Sequence, residues 1–265
     1  MMAVPRSEGA LKAVLKAAHE NEVPVVLLGG GTNVLVLDGG IRGLVVKLGR
    51  GFMGATERSE GLAAGAALPL SRLLAKAREK CLSGLEFATG IPGTVGGGLW
   101  VNAGALGEWL GSRFASAKGV SYEGESVFLN AQAVSFEYRS ASFPMPVALT
   151  EVVFALDPGD PELMDKTMRE ALDRRRGQPL DTPSAGCVFK NPPGNPAAKL
   201  IDQANLKGLQ IGGAKVSERH ANFILNVKGA VASDVLNLIA EVKKRVMERS
   251  GVGLEMEVRV LGEAS

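Results

Sequence analysis

GLEFATGIPGTVGGGLWVNAG, residues 84–104, is the stretch that says most about the fold of this chain. Its first fifteen residues contain six glycines and one proline. Each glycine inside a helix or strand costs about 0.5–1 kcal/mol relative to alanine, so the composition predicts an irregular loop. A loop of this kind suits a site where a large rigid ligand lies directly against main-chain atoms.

A second glycine cluster, Gly29-Gly30-Gly31-Thr32-Asn33, follows an apolar strand predicted at residues 23–28. Backbone N–H groups in such a turn can form a nest for a diphosphate, and Thr32 and Asn33 add side-chain donors. The cluster is not the dinucleotide fingerprint, because Val34 stands at the third glycine position. A tight turn between two strands is the alternative. The two clusters together suggest a cofactor with two parts, such as a diphosphate and a flat ring.

Composition indicates an ordinary globular protein. The 265 residues are 46% hydrophobic and 22% charged, with a formal net charge of +2. This charge and the 5% aromatic content give no support to nucleic-acid binding. No apolar run approaches the ~18 residues that are needed to cross a bilayer, and the N-terminal residues lack the apolar core of a signal peptide. The spacing of the two cysteines indicates neither a metal site nor a disulfide framework. We expect a cytoplasmic protein with no nucleic-acid, membrane or metal partner.

The periodicity along the chain predicts an α+β order of elements. Helices are expected over residues 8–20 with Ser7 as the N-cap, from Pro69 to about Lys80, and over 161–176, 196–204 and 233–250. Strands are expected at 34–37, 44–48, 117–122, 125–129, 147–156, 223–227 and 254–262. The turn-rich segment at residues 157–161 predicts a domain boundary. The last strand, 254–262, either stays with the second domain or returns to the first.

Four candidate site features have ordinary explanations when spacing alone is considered. Arg139 follows a strand-like stretch, where an arginine is more often a surface residue. The arginines at 174–176 end a predicted helix, where cations offset the carbonyl dipoles. Cys187 is a lone thiol among apolar residues, which is usually inert packing. Glu257 alternates with apolar neighbours and would point at water. Spacing leaves both the ordinary and the functional interpretation of each open.

Taken in chain order, the motifs resemble those of the UDP-N-acetylenolpyruvoylglucosamine reductase family. The resemblance extends from about residue 5 to residue 262, and the joint match is highly specific. Its segments are GGGTNVLV at 29–36, GIPGTVGGGLWVNAGALG at 90–107, EYRSASF at 137–143, PSAGCVFKNP at 183–192, GGAKVSERHANFILN at 212–226 and LEMEVRVLG at 254–262. The resemblance implies an α+β fold of the vanillyl-alcohol-oxidase type. Residues 1–158 would be an FAD-binding domain of two subdomains, and 159–265 a substrate-binding domain.

The same resemblance implies a reaction and its site residues. Non-covalent FAD would pass hydride from NADPH to UDP-N-acetylglucosamine enolpyruvate, giving UDP-N-acetylmuramate for peptidoglycan, with roles in cell wall biogenesis, cell shape, cell cycle and cell division. Arg139 matches the family's catalytic arginine, Cys187 the position of its proton donor and Glu257 its catalytic glutamate. The implied cofactor-binding residues are Gly29, Gly31, Thr32, Asn33, Ile91, Gly97, Trp100 and Gly104. The implied substrate-binding residues are Arg175, Lys190 and Asn191.

Three departures from the family pattern carry their own expectations. A serine is usual where Cys187 stands, and a thiol with an ordinary pKa of ~8.5 is the stronger acid, so proton donation is retained. The chain begins inside the pattern, after the point where members usually carry another strand, so we expect weaker flavin binding. No tyrosine-bearing insertion lies between Ser140 and Arg174, which indicates the shorter of two family types.

Two other functions are compatible with the sequence. One is a different flavin oxidoreductase of the same superfamily, some members of which bind flavin covalently through a histidine. His19 and His220 are the only histidines here, and neither falls in a flavin segment. The other is a flavin-binding protein without turnover. The state of the flavin after denaturation and its response to NADPH separate these possibilities.

Overall fold

The computed structural model describes residues 1–264, which form two compact units. The first unit contains Met1–Gly30 and Gly43–Arg175. The second contains Gly31–Arg42 and the chain from Arg176 onward. The polypeptide therefore enters the second unit twice, first for a short excursion and then for its C-terminal part.

The helices begin and end close to the predicted positions. Ser7 caps the first helix by accepting a hydrogen bond from the backbone N–H of Ala10, and Asp160 caps the fourth, immediately before Pro161. The fourth helix ends at Asp173, so the predicted end at residue 176 is wrong and the arginines follow the helix. The α-helices are α1 (Glu8–Glu20), α2 (Leu70–Glu79), α3 (Val95–Trp100), α4 (Pro161–Asp173), α5 (Ala197–Gln203) and α6 (Ala232–Ser250).

The strands include the ones that the sequence predicts and several short hairpins. They are β1 (Met2–Ala3), β2 (Val25–Leu27), β3 (Val34–Val36), β4 (Leu44–Val46), β5 (Ala55–Arg58), β6 (Gly61–Gly65), β7 (Leu82–Ser83), β8 (Gly104–Ala105), β9 (Glu108–Trp109), β10 (Phe114–Ser121), β11 (Ser126–Asn130), β12 (Ser135–Glu137), β13 (Ser140–Ser142), β14 (Val147–Ala155), β15 (Asp157–Pro158), β16 (Ser184–Cys187), β17 (Gln210–Ile211), β18 (Ala214–Val216), β19 (Phe223–Asn226) and β20 (Arg259–Leu261).

The first unit contains two main sheets. A parallel sheet has the order β1-β4-β2 and packs with α1 around Leu11 and Leu15. An antiparallel sheet has the order β11-β10-β14-β6-β5 and packs with α2 and α3 in a larger core that includes Phe154 and Leu99. The β10–β11 connection is the hairpin expected at Glu123-Gly124. Each sheet has its own buried cluster.

The glycine-rich loop contains a helix that the composition argued against. Residues Val95–Trp100 form α3, which is capped by Thr94, whose hydroxyl accepts from the Gly97 N–H at 3.3 Å. A Cβ on Gly98 would lie 2.9 Å from Leu110 Cδ1, and one on Gly96 would lie 3.0 Å from Ala66 Cβ. Close packing on these sides therefore overrides the low helix propensity of glycine. The prediction of an irregular loop is wrong for these six residues.

The second unit is built on the sheet β16-β19-β18-β17, with α5 and α6 closing a third buried cluster. The predicted final strand is shorter than expected, because only Arg259–Leu261 forms a regular ladder, parallel to Val34–Val36. The residues before it bond to another segment: Lys190 N–H donates to the Glu255 carbonyl and Glu257 N–H to that of Val188. This arrangement holds the C-terminal segment against β3 and the end of β16.

The first unit extends beyond the turn at residues 157–161. Asp157 and Pro158 pair with Leu82–Ser83, and Arg78 makes two hydrogen bonds to Asp165 in α4, at 2.5 and 2.7 Å. The pKa of Asp165 is lowered by the Arg78 guanidinium. These contacts hold β15 to β7 and α4 to α2. The chain leaves the first unit after Arg175, and the predicted boundary lies at 158.

Candidate active site

The two glycine clusters meet in the first unit. A Cβ on Gly29 would lie 3.4 Å from Gly97 Cα and 2.9 Å from Thr94 Oγ1. A Cβ on Gly97 would likewise lie 3.7 Å from Gly29 Cα. The segment after β2 and the first turn of α3 therefore lie in contact, and a side chain on Gly29 would collide with the Thr94 hydroxyl. Both predicted cofactor residues contribute to one surface of main-chain atoms.

The rest of the predicted flavin segment has mixed surroundings. Ile91 packs against the larger core of the first unit. Trp100 is 41% exposed, and its ring stacks on Phe143 at 4.8 Å with an interplanar angle of 8°. Gly104 is buried, and a Cβ there would lie 2.3 Å from the Glu108 carbonyl oxygen. The tight β8–β9 hairpin therefore explains the glycine at 104 without a ligand.

Arg139 lies at the tip of the β12–β13 hairpin, in a turn formed with Tyr138. Its φ is +56°, a left-handed conformation that is uncommon for residues other than glycine. Its Nη1 donates a hydrogen bond of 2.9 Å to the Gly104 carbonyl, and its guanidinium carbon lies 5.5 Å from the centroid of the Tyr138 ring. The structure thus joins the predicted catalytic arginine to the end of the glycine-rich segment.

Arg175 lies at the other end of that segment. A Cβ on Gly90 would lie 2.8 Å from Arg175 Cδ and 3.3 Å from Leu172 Cδ2. The side chain predicted to bind substrate therefore lies against the beginning of the predicted flavin segment. Gly90 has a φ of +78°, so glycine is favoured there both by its conformation and by this close approach.

The second unit brings together three of the other predicted residues. The Asn33 side-chain amide donates to the Glu257 carbonyl at 3.1 Å, and the Arg259 N–H donates to the Asn33 carbonyl. Glu257 N–H donates to the carbonyl of Val188, which follows Cys187 directly. Asn33 thus fixes the main chain that carries Glu257, a role that the sequence did not indicate.

Cys187 ends strand β16 and is half-buried. The residue before it, Gly186, has a φ of +78°, and a Cβ there would lie 3.6 Å from the Thr32 carbonyl oxygen. The strand that carries the thiol therefore lies beside the second half of the first glycine cluster. Gly31 in that cluster has a φ of +72°, and a Cβ on it would meet no atom within 4 Å among residues 1–264.

Lys190 and Asn191 follow Cys187 in the same segment. Lys190 Nζ lies 2.6 Å from Glu255 Oε1. Asn191 Oδ1 accepts a hydrogen bond of 2.8 Å from the Ala197 N–H at the start of α5. Each side chain therefore contacts a neighbouring protein group: Lys190 forms an ion pair, and Asn191 caps the start of α5. Their contact with substrate stays a prediction.

The predicted catalytic residues are divided between the two units. Arg139 belongs to the first, and Cys187 and Glu257 belong to the second. His220, which no pattern in the sequence singles out, is also in the second unit. Burial lowers the pKa of His220, so the ring is neutral at pH 7. Its Nδ1 is buried without a hydrogen-bond partner among residues 1–264, and its ring contacts Phe223 edge-on at 5.0 Å.

Two classes of site are not found in the described part of the chain. Within residues 1–264 no group of three or more His, Cys, Asp or Glu side chains is arranged to hold a metal ion. None of the helices in that range is long and apolar enough to cross a membrane.

Comparison with known proteins accounts for both parts of the chain. A profile described as "FAD binding domain" matches residues 1–125, and one described as "UDP-N-acetylenolpyruvoylglucosamine reductase, C-terminal domain" matches residues 178–261. Together with the structural similarity given below, these matches confirm the expected fold class, α+β with an FAD-binding domain of the vanillyl-alcohol-oxidase type.

Similarity to individual proteins extends over almost the whole chain. Relatives from Anaeromyxobacter sp. (strain Fw109-5) and Bacillus subtilis (strain 168) are both named UDP-N-acetylenolpyruvoylglucosamine reductase. The first is 43% identical over 261 residues, covering 98% of this chain and 81% of the relative. The second is 39% identical over 265 residues, covering 99% and 88%.

A solved structure gives the same result. The crystal structure of UDP-N-acetylenolpyruvylglucosamine reductase from Thermus caldophilus superposes with a TM-score of 0.85 at 35% identity. The similarity covers 98% of this chain and 91% of that one. Profiles, relatives and structure agree, and this chain belongs to the UDP-N-acetylenolpyruvoylglucosamine reductase family.

Proposed function

We propose that this protein reduces UDP-N-acetylglucosamine enolpyruvate to UDP-N-acetylmuramate with FAD and NADPH. The observation that carries the proposal is the similarity to reductases of that name over 98% of the chain, together with a backbone surface where the two glycine clusters meet. The reaction adds a hydride to the methylene carbon of the enolpyruvyl group and a proton to the neighbouring carbon.

The glycine residues fit FAD. Gly29 and Gly97 bring two stretches of main chain together, and a side chain on Gly31 would extend into open space. Backbone N–H groups beside such glycines can hold a diphosphate, with Thr32 as a further donor. FAD, when bound, supplies the transfer of hydride from NADPH to the enolpyruvyl methylene carbon. We assign the flavin to the glycine clusters within residues 1–158.

Arg139 would stabilise the charge that develops on the substrate carboxylate. Hydride addition leaves electron density on the carbon next to that carboxylate, where it is delocalised as an enolate. A guanidinium held by the Gly104 carbonyl needs little reorganisation to meet this charge. Arginine is suited to the task, because its forked donors match the two oxygens of a carboxylate.

Cys187 and Glu257 would complete the reaction. The thiol would donate the proton to the carbon next to the carboxylate, which is a general-acid step. Glu257, when protonated, would donate a hydrogen bond to the developing enolate. Arg175, Lys190 and Asn191 would contact substrate, which we assign mainly to residues 159–265.

The cellular role follows from the product. UDP-N-acetylmuramate is a peptidoglycan precursor, so the proposal includes a cytoplasmic location and a contribution to cell wall biogenesis, cell shape and division. Depletion of the protein in a walled bacterium that has no other enzyme of this activity should give rounded, lysing cells. Rods that keep their shape would contradict this part of the proposal.

The decisive experiment is an anaerobic visible spectrum of the purified protein loaded with FAD. NADPH should bleach the flavin bands, and UDP-N-acetylglucosamine enolpyruvate should restore them with formation of UDP-N-acetylmuramate. Bleaching without restoration would indicate a different flavin oxidoreductase, and flavin that stays attached after denaturation would indicate covalent binding. A yellow protein that NADPH does not bleach would indicate a binding protein without turnover.

A further inference from the structure

The hairpin that carries Arg139 is too small to hold its own shape. It consists of β12 and β13, three residues each, joined by a two-residue turn in which Arg139 is left-handed. An isolated two-stranded hairpin is at best marginally stable in water. The direction of the guanidinium must therefore be set by the residues that the hairpin packs against.

Three alternate residues of the glycine-rich segment contact this hairpin. Trp100 stacks on Phe143, just beyond β13. The Asn102 side-chain Nδ2 donates a hydrogen bond of 2.8 Å to the carbonyl of Glu137, the last residue of β12. The Gly104 carbonyl accepts from Arg139 Nη1. The segment thus contacts both arms of the hairpin and its tip.

Asn102 is buried and holds the hairpin through a hydrogen bond of its side chain. It is 2% exposed and has a φ of +44°, a conformation that asparagine tolerates better than most residues. Its Oδ1 accepts a hydrogen bond of 2.9 Å from the Gly111 N–H, while its Nδ2 holds the hairpin. A Cβ on Gly111 would lie 2.3 Å from the Phe136 ring, so the segment after β9 packs directly on β12. One buried amide therefore connects three pieces of chain.

We propose that Asn102 is a positioning residue, which aims Arg139 at the substrate by fixing the base of its hairpin to the flavin segment. The proposal rests on the function proposed above, because it needs Arg139 to act on the enolpyruvyl carboxylate. Asn102 would act on the step that uses Arg139 and would not influence the reduction of flavin by NADPH.

The first test is Asn102→Gly, since glycine accepts the left-handed conformation and removes only the side-chain bonds. In stopped-flow measurements, restoration of the flavin bands by the enolpyruvyl substrate should slow by about 10–100-fold, as expected for a misplaced catalytic group. The rate of bleaching by NADPH should stay within about twofold. Asn205→Gly is the matched control, because Asn205 has a φ of +56° in the second unit, and it should change neither rate.

A double-mutant cycle separates positioning from a general structural effect. In an Arg139→Asn background, Asn102→Gly should slow restoration by less than about twofold, because both changes remove the same contribution. Additive losses, or equal losses in both half-reactions, would overturn the proposal. If Asn102→Gly does not fold, Asn102→Asp keeps the acceptor for the Gly111 N–H. At low pH the carboxyl of this variant is protonated and can again donate a hydrogen bond. The rate at which the variant restores the flavin bands, divided by the wild-type rate, should therefore rise as the pH is lowered. A ratio that does not change with pH would overturn the proposal.

Amide hydrogen exchange provides a readout that needs no catalysis. Residues 135–142 should exchange faster in Asn102→Gly than in wild type, and at the wild-type rate in Asn205→Gly. Unchanged exchange would overturn the positioning role even if the reaction slows. If wild-type protein reduces no enolpyruvyl substrate, the proposed function fails, and exchange still decides whether Asn102 fixes the hairpin.

Discussion

Arg139 combines a strained backbone with the catalytic role proposed above. A residue other than glycine in the left-handed region costs on the order of 1–3 kcal/mol. Asn accepts this conformation more readily, so Arg139→Asn should keep the free energy of unfolding within about 1 kcal/mol of wild type, the relieved strain offsetting the lost bond to Gly104. Turnover with NADPH should fall at least ~100-fold, because the charge on the substrate is no longer stabilised.

Urea unfolding and steady-state turnover check this prediction together. Glu22→Asn is the control, because Glu22 has a φ of +53° on an exposed surface and no role in the site. The control should be at least as stable as wild type and fully active. A strong loss of stability in Arg139→Asn would instead mean that the arginine holds the fold.

The thiol at residue 187 predicts a distinct response to substitution. Cys187→Ser should retain substantial turnover, since a hydroxyl can still donate the proton, whereas Cys187→Ala should lose most of it. Because a half-buried thiol can be oxidised and a hydroxyl cannot, peroxide should inactivate wild type and spare Cys187→Ser. Cys81→Ser is the control and should behave as wild type in both assays. An alanine variant as fast as wild type would rule out the proton-donor role.

Helix α3 shows how packing can make glycine necessary inside a helix. Gly98→Ala would place a Cβ 2.9 Å from Leu110 Cδ1 and 3.2 Å from Leu70 Cδ1, so it should lower the free energy of unfolding by about 1–3 kcal/mol. Gly9→Ala in α1 is the matched change, because a Cβ there meets no atom within 4 Å of the described chain. It should stabilise by about 0.5–1 kcal/mol. Denaturant unfolding measures the free energy of unfolding of both variants. If Gly98→Ala stabilises the protein as much as Gly9→Ala does, helix propensity outweighs packing at residue 98.

Helix α6 depends on a cap from a distant segment. Asp38 accepts from the backbone N–H groups of Ala232 at 2.7 Å and Ser233 at 3.1 Å. These bonds lower the pKa of Asp38 below its ordinary value of 3.8. Its contribution to stability is therefore complete above pH 3.8 and is lost as the pH falls through the lower folded-state pKa.

Replacement of Asp38 tests this cap. Asp38→Ala should lower the denaturant midpoint at neutral pH, and the difference from wild type should shrink as the pH is lowered through that range. The denaturant midpoint of Asp38→Asn should lie between those of wild type and Asp38→Ala, because asparagine retains one acceptor oxygen without the charge. A difference that stays constant down to strongly acidic pH would show that the carboxylate is not the cap.

Local signals in the sequence predicted the elements better than their connections. Ser7 and Asp160 mark helix starts, because each cap acts within three residues of itself. The pairing of β3 with β20 joins residues more than two hundred positions apart, and no local pattern encodes it. Asn102 was missed for the same reason. Its role depends on the Glu137 carbonyl and the Gly111 N–H, which only the folded chain brings to it.

The path of the chain through the two units predicts how the protein responds to a single cut of its backbone. Residues 31–42 belong to the second unit although they precede most of the first. They are held there by the ladder between β3 and β20 and by Asp38 at the start of α6. A cut after Gly177, an exposed glycine beyond α4, would therefore leave part of the second unit attached to the N-terminal fragment.

We expect the two fragments of such a cut protein to stay together. With a site for a sequence-specific protease placed after Gly177, the cleaved protein should elute from gel filtration as one species at the size of the intact chain. The fragments should separate only in denaturant. The denaturant concentration needed should be lower when Asp38→Ala removes the cap of α6. The ladder between β3 and β20 is the main backbone pairing within the second unit that joins the two fragments. Fragments that elute apart under native conditions would therefore show that this pairing is too weak to hold the two parts of the second unit together.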